Sequence, residues 1–324
     1  MLRLLRPAVL VPVLAASGAL LAGCGANDTT GSKPVVVATA PQLDGMLQEL
    51  AGSGVTVKPV VSPTADIHDV ELRPSQVRAL RDAKLILRPG RGNDAWADEA
   101  LGQVTGEQVD VSADLGGDQR HWWMDPTLAL KAATQIKDRL DTLDPSGAGA
   151  RDAAYAALER ELQTVDRETE ACLASVPPAK RKIVTDHDAA GAFAERYGLS
   201  VVGTISPGAE PEAAPSAQRV AELVKTMRAE GVAALFPIAP HGSALAKTIA
   251  ERGGATLGAP LWADALPGAT HDHGDEDHAD ADAGTPGAHA DEAASTIESA
   301  ARLNAESVSE ALGATGSACR AFHG

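Results

Sequence analysis

Aromatic side chains are scarce: three Phe, four Trp and two Tyr in 324 residues. Surfaces that dock other proteins tend to concentrate such rings, and here only Trp122 and Trp123 stand together, so no recognition hot spot is advertised. Positive charge is short as well. Lys and Arg number 28 against 44 Asp and Glu, a formal net charge of −16. That balance argues against nucleic acid or an anionic membrane surface as a partner, and it favours cations. There are only three cysteines, and neither a C-x-x-C pair nor an H-E-x-x-H helix is present, so the compact zinc signatures are missing. The longest apolar run, Pro7 to Leu20, is too short for a stable membrane-spanning helix.

That run has a different meaning. Arg3 and Arg6 precede it and Leu21-Ala22-Gly23-Cys24 closes it, which is the plan of a secretory signal peptide over residues 1–23. The closing tetrapeptide resembles the lipobox of bacterial lipoproteins. The resemblance implies cleavage before Cys24 and acylation of that residue, so the protein is expected to be exported and anchored to the extracytoplasmic face of the cell membrane. Acyl chains, not charge, would hold it there. Loss of residues 1–23 removes two Arg and no acid, which takes the charge from −16 to −18. Residues 24–33 read as a polar, lipidated tether. In an oxidising compartment the remaining Cys172 and Cys319 can pair, and the chain-entropy model credits so long a loop with roughly 4–5 kcal/mol. The alternative is two buried thiols; we expect the bond.

From Val35 onward, short β-branched runs alternate with amphipathic stretches, the pattern of a parallel sheet covered on both faces. Strands are expected at Val35–Ala38, Val55–Val61, Leu85–Leu87 and Val109–Val111, with helices after Leu43, after Arg73 and from Asp94 to Leu101. Residues 34–125 thus form a first α/β lobe. Residues 126–178 read as connecting helices. Asp125 and Pro126 start one that runs to Leu143, and a longer one extends to Leu173 with Tyr155, Leu158, Leu162 and Val165 along a single stripe, as expected of a helix lying across two lobes. Residues 179–324 repeat the alternation. Strands are expected at Ile183–Val184, Leu199–Ile205, Ala233–Phe236 and within Thr256–Trp262, with helices at Ala189–Tyr197, Pro215–Glu230, Ser243–Arg252 and Glu292–Leu312. A His- and Asp-rich loop interrupts this lobe at 269–291. The fold class is therefore α/β: two small parallel-sheet lobes joined by one long helix.

Four polar residues stand at corresponding places in this plan. His68, His121, His187 and Asp264 each follow a strand or the loop after one, where open α/β sheets put their ligands. Two come from each lobe, one set facing the other. Three imidazoles and a carboxylate suit a tetrahedral Zn²⁺. Dispersed as they are, they do not define a site by spacing alone.

The segments around them add a family resemblance. Ile67-His68-Asp69-Val70-Glu71-Leu72-Arg73-Pro74-Ser75, His121-Trp122-Trp123-Met124-Asp125-Pro126, Thr185-Asp186-His187-Asp188-Ala189 and Leu261-Trp262-Ala263-Asp264-Ala265-Leu266 resemble the four ligand segments of the zinc/manganese solute-binding proteins of ABC importers, the ZnuA/TroA-like group. Ile205 to Pro211 resembles the stretch leading to that family's long second-lobe helix, and the likeness runs from about Lys33 to Leu312. It implies the metal solute-binding protein fold, with the metal held between the lobes by His68, His121, His187 and Asp264. A His at the third position goes with zinc in that family, where manganese binders usually carry a carboxylate. Mn²⁺ also prefers oxygen donors more strongly. Zn²⁺ is thus the expected ligand and Mn²⁺ the lesser one. Two departures stand out. Pro237-Ile238-Ala239-Pro240-His241 replaces an acidic residue and Asn, making His241 a spare candidate ligand. The His-rich loop follows Asp264 instead of the first ligand, so His271, His273, His278 and His289 are candidate accessory metal ligands, or else parts of a merely solvated acidic loop.

An enzyme is the first rival, since three His with an open position could activate water. No Glu is placed beside a ligand pair as a general base, however, and Asp186 and Asp188 look like partners that orient His187. A surface adhesin lipoprotein is the second, and a manganese receptor of the same family the third. The reading adopted is a non-enzymatic, monomeric zinc receptor that delivers its ion to an ABC permease.

Overall fold

The computed structural model describes residues 32–68, 70–118, 120–206, 215–240, 244–268, 296–315 and Cys319. The expected signal segment over residues 1–23, Cys24, His241 and the stretch carrying His271, His273, His278 and His289 lie outside the described residues.

Two four-stranded parallel sheets carry the fold. In the first, β1 (Val35–Ala38), β2 (Thr56–Val57), β3 (Ala83–Arg88) and β4 (Glu107–Asp110) lie in the order β2-β1-β3-β4. Its crossovers are α1 (Pro41–Leu50), α2 (Pro74–Asp82) and a short α3 (Asp98–Leu101). Two helices follow, α4 (Pro126–Leu143) and α5 (Ala148–Leu173). The second sheet orders β5 (Lys182–Thr185), β6 (Ser200–Thr204), β7 (Ala234–Phe236) and β8 (Thr256–Leu257) as β6-β5-β7-β8. Its helices are α6 (Gly191–Tyr197), α7 (Ala217–Glu230), α8 (Ala244–Gly253) and α9 (Ile297–Ala311). The two lobes are topological copies.

Local chemistry accounts for where these elements stop. The run Val55–Val61 pairs only at Thr56 and Val57, because Pro59 has no N–H for the ladder. Val60 and Val61 bury themselves from a loop instead. Thr256–Trp262 likewise pairs only at its first two residues, before Gly258 and Pro260, and Leu261 rejoins the sheet as a single bridge to Ile238. A side chain at 258 would collide with the Phe236 ring, its Cβ coming within 2.2 Å of Cε1. The stretch from Asp94 to Leu101 starts as a 3₁₀ turn, Ala95–Ala97, because the Asp94 carboxylate is occupied elsewhere: it accepts from Thr39 Oγ1 at 2.6 Å and from Arg88. By contrast α4 begins where its cap dictates, with Asp125 accepting from the Thr127 N–H at 2.7 Å and Pro126 in first position.

Each sheet has a private apolar cluster on one face, around Ile86 and Leu80 in the first lobe and around Leu235 and Met227 in the second. A third cluster is shared, and runs from Leu43 and Trp122 through Leu158 and Leu162 of α5 to Phe193 and Phe236. The long helix is fastened differently at its two ends. At its start the fully buried Arg151 pairs with Asp141 and Asp144 and donates to the Ala51 carbonyl at the end of α1. At its far end Cys172 is bonded to Cys319, 147 residues away in sequence.

Candidate metal centre

The mouth of the first sheet supplies two imidazoles. His68 sits in the loop after β2, where its own N–H donates to the Asp66 carboxylate at 2.7 Å and Trp96 Nε1 donates to the preceding Ile67 carbonyl at 2.9 Å. His121 precedes α4 by one 3₁₀ turn. Asn93 Nδ2 grips the Arg120 carbonyl at 2.9 Å, Trp122 Nε1 donates to the Pro89 carbonyl at 3.0 Å, and the Trp123 ring meets the His121 ring edge-on at 5.2 Å. The scarce tryptophans are thus spent holding ligand loops.

The second sheet supplies His187, in the turn between β5 and α6. Thr185 Oγ1 donates to its carbonyl at 2.6 Å. Asp186 bridges: one oxygen lies 3.0 Å from His187 Nδ1 and the other accepts from the Ile238 N–H at 2.9 Å. With Nδ1 donating to a carboxylate, Nε2 is aimed at the centre. Asp188, the other flanking acid, is exposed. Asp264 arrives from the segment after β8.

These four side chains converge. All four donor atoms lie within 4.8 Å of one another. Asp264 Oδ1 is 2.9 Å from His121 Nε2 and 3.5 Å from His68 Nε2, and Asp264 Oδ2 is 3.2 Å from His187 Nε2. His68 and His121 approach at 3.4 Å, Nε2 to Nε2. Four donors placed ~2.0–2.1 Å from a tetrahedral ion would stand about 3.3 Å apart, and the Asp264 contacts and the His68–His121 approach lie near that spacing. His187 Nε2 and Asp264 Oδ1 are nevertheless buried without a hydrogen bond of acceptable geometry. Polar atoms aimed at a common point, not at each other, leave that signature. The three imidazole rings cross one another steeply, at 62–88°. His121, His187 and Asp264 are 1–2% exposed.

Burial and pairing set the charges. Burial lowers the His121 pKa, and Asp264 opposes this only in part. At His187 burial also works downward, but the neighbouring Asp186 and Asp264 carboxylates outweigh it and push the value up to about 10. Burial would raise Asp264, yet contacts with His121, His187 and His68 hold it well below the ordinary carboxylate range. The metal-free centre is therefore an Asp264 carboxylate paired with a His187 imidazolium, beside a neutral His121. Residue types and sheet position pointed to the four donors and to Asp186. Asp66, Asn93 and Trp96 gave no signal, because each acts through a backbone group of a ligand loop.

Residues 36–280 match the family described as "Zinc-uptake complex component A periplasmic", and the chain belongs to that family, the substrate-binding components of ABC metal importers. Among its relatives, the high-affinity zinc uptake system protein ZnuA of Paracoccus denitrificans is 26% identical over 305 residues, covering 76% of this chain and 92% of the relative. The manganese-binding lipoprotein MntA of Halalkalibacterium halodurans is also 26% identical, over 261 residues, covering 76% and 86%. In structure, the periplasmic zinc-binding protein TroA of Treponema pallidum superposes with a TM-score of 0.71 at 21% identity, over 86% of this chain and 99% of that one, and so shares its two-lobed fold.

Proposed function

We propose that this chain is an exported zinc receptor, anchored through Cys24, that captures Zn²⁺ outside the membrane and delivers it to the permease of an ABC importer. The reading rests on the convergence of three imidazoles on one buried carboxylate, with Asp264 2.9–3.5 Å from each ring nitrogen. Three nitrogen donors favour Zn²⁺ over Mn²⁺, which prefers oxygen. The ion is cargo. His68, His121, His187 and Asp264 would bind it, and the proton on His187 must leave as it enters. Both oxygens of Asp186 are engaged, one by His187 and one by the Ile238 N–H, which leaves it ill placed as a base for hydrolysis and supports a carrier over an enzyme.

Titration calorimetry on the mature protein tests the metal. One tight Zn²⁺ per chain is expected, with Mn²⁺ weaker by orders of magnitude. Equal or tighter Mn²⁺ would make this a manganese receptor, while the absence of any tight metal would favour the adhesin reading. Mass measurement of the membrane-extracted protein tests Cys24, since an unacylated terminus there would contradict the anchor.

A further inference from the structure

Asp264 belongs by chain to the second lobe, but its backbone is held by the first. The Ala263 carbonyl accepts two hydrogen bonds, from Gln42 Nε2 at 2.8 Å and from Trp123 Nε1 at 2.7 Å. The Asp264 carbonyl accepts from the Ile67 N–H at 3.1 Å, and the Leu266 N–H donates to the Pro63 carbonyl at 2.8 Å. All four partners are first-lobe groups. One residue earlier the attachments reverse. Asn304 of α9 holds Trp262 at both ends, accepting from its N–H at 2.7 Å and donating to its carbonyl at 3.1 Å, and Leu261 is bonded to Pro237 and Ala239. The chain therefore changes lobes between Trp262 and Ala263.

We infer that Gln42 is a positioning residue for the metal centre: with Trp123 it docks the Asp264 segment on the first lobe, so that the donors divide three to one and His187 alone must part from the rest when the lobes separate. This rests on the zinc-receptor reading and sets the order in which ligands let go. An expectation of two donors from each lobe describes the sequence but not the mechanics. Gln42 suits the role because it is 1% exposed, sits in the first turn of α1 and spends its amide donor across the lobe boundary. A Met of similar length would fill the space and donate nothing.

The test is Gln42→Met in the mature protein, read by zinc release into a chelator in stopped flow and by the visible spectrum of the Co²⁺-loaded form. Loss of one donor should raise the release rate about tenfold, the equivalent of one hydrogen bond at ~1.4 kcal/mol, with the association rate nearly unchanged. The Co²⁺ bands should weaken as Asp264 loosens from a tetrahedral shell, which a purely structural role would not cause. Trp123→Phe removes the second donor to the same carbonyl and should act in the same direction, which covers failure of the first variant to fold. Asp264→Ala is the control. If it leaves zinc affinity intact, the ligand assignment itself fails. If it weakens zinc at least a hundredfold while both donor variants keep wild-type release and Co²⁺ spectra, the positioning role is overturned.

Discussion

The two lobes share one strand order and do different work. Lobe one contributes His68 and His121 from loops clamped by Trp96, Trp122 and Asn93, and burial keeps His121 neutral. Lobe two contributes His187 from the five-residue connection between β5 and α6, with a carboxylate on its far nitrogen and a pKa pushed up to about 10. One half is a preshaped cradle. The other carries the ligand expected to exchange a proton for a metal. Topology thus sets where a ligand can be, and the loop chemistry sets what it does there.

The largest expected effect separates the lobes by their fastenings. Lobe two holds the end of the long helix region through Cys172–Cys319, a bond enclosing 147 residues. Reduction should cost ~5 kcal/mol on the chain-entropy model, seen as a lower melting temperature, while zinc affinity at low temperature stays close to that of the oxidised protein. Free thiols in the denatured, unreduced protein would remove the premise.

Next come the ligands. A whole zinc site is worth ~10–16 kcal/mol, so removing one of four donors should cost ~3–4 kcal/mol of affinity. His187→Ala should retain weak, rapidly exchanging zinc on the three groups held by lobe one. His121→Ala should also lose the closest contact to Asp264 and bind more weakly still. Calorimetry ranks them, and the reverse order would break the cradle-and-closer distinction.

Arg151 is lobe one's counterpart to the disulfide. Arg151→Ala strips Asp141 and Asp144 of a buried partner and should cost ~3 kcal/mol of folding stability in urea unfolding, leaving zinc affinity at wild-type level. A loss confined to affinity would instead place Arg151 in the metal pathway.

The smallest effect, read per unit of pH, is the slope of zinc affinity against pH. The folded His187 value lies above its ordinary 6.5, so its ion pair stabilises the metal-free protein fully below about pH 6.5 and is lost as pH rises through about 10. Zinc competes with that same proton. Affinity should rise by up to tenfold per pH unit across this window, with a proton released on loading. Calorimetry in buffers of different ionisation enthalpy counts the proton, and Asp186→Asn should flatten the slope near neutral pH. A slope that Asp186→Asn leaves unchanged would detach the titration from His187.

Much of this was legible from residues alone. Val35–Ala38, the Asp125-Pro126 start of α4 and the stripe on α5 announce themselves because propensity, capping and burial agree at each. The Val55–Val61 run over-reads as a strand, since apolar periodicity does not register that Pro59 ends a ladder, whereas the strand expected within Thr256–Trp262 is present over Thr256 and Leu257. The four donors were visible as residue types at strand ends. Gln42, Asn93, Trp96 and Asn304 were not, because they recognise backbone carbonyls and amides, and a backbone group looks the same at every position of a sequence. The lobe change at Trp262–Ala263 was hidden for the same reason: chain order assigns Asp264 to one lobe while hydrogen bonds assign it to the other.

One expectation underlies the rest: His68, His121, His187 and Asp264 together hold one zinc ion. X-ray absorption of the zinc-loaded mature protein tests it most directly, with His187→Ala measured beside it. A four-coordinate shell at ~2.0–2.1 Å is expected, with scattering from three imidazoles that falls to two in the variant. An imidazole count that stays at three in the variant, or a sulfur or six-oxygen shell in the wild type, would contradict it.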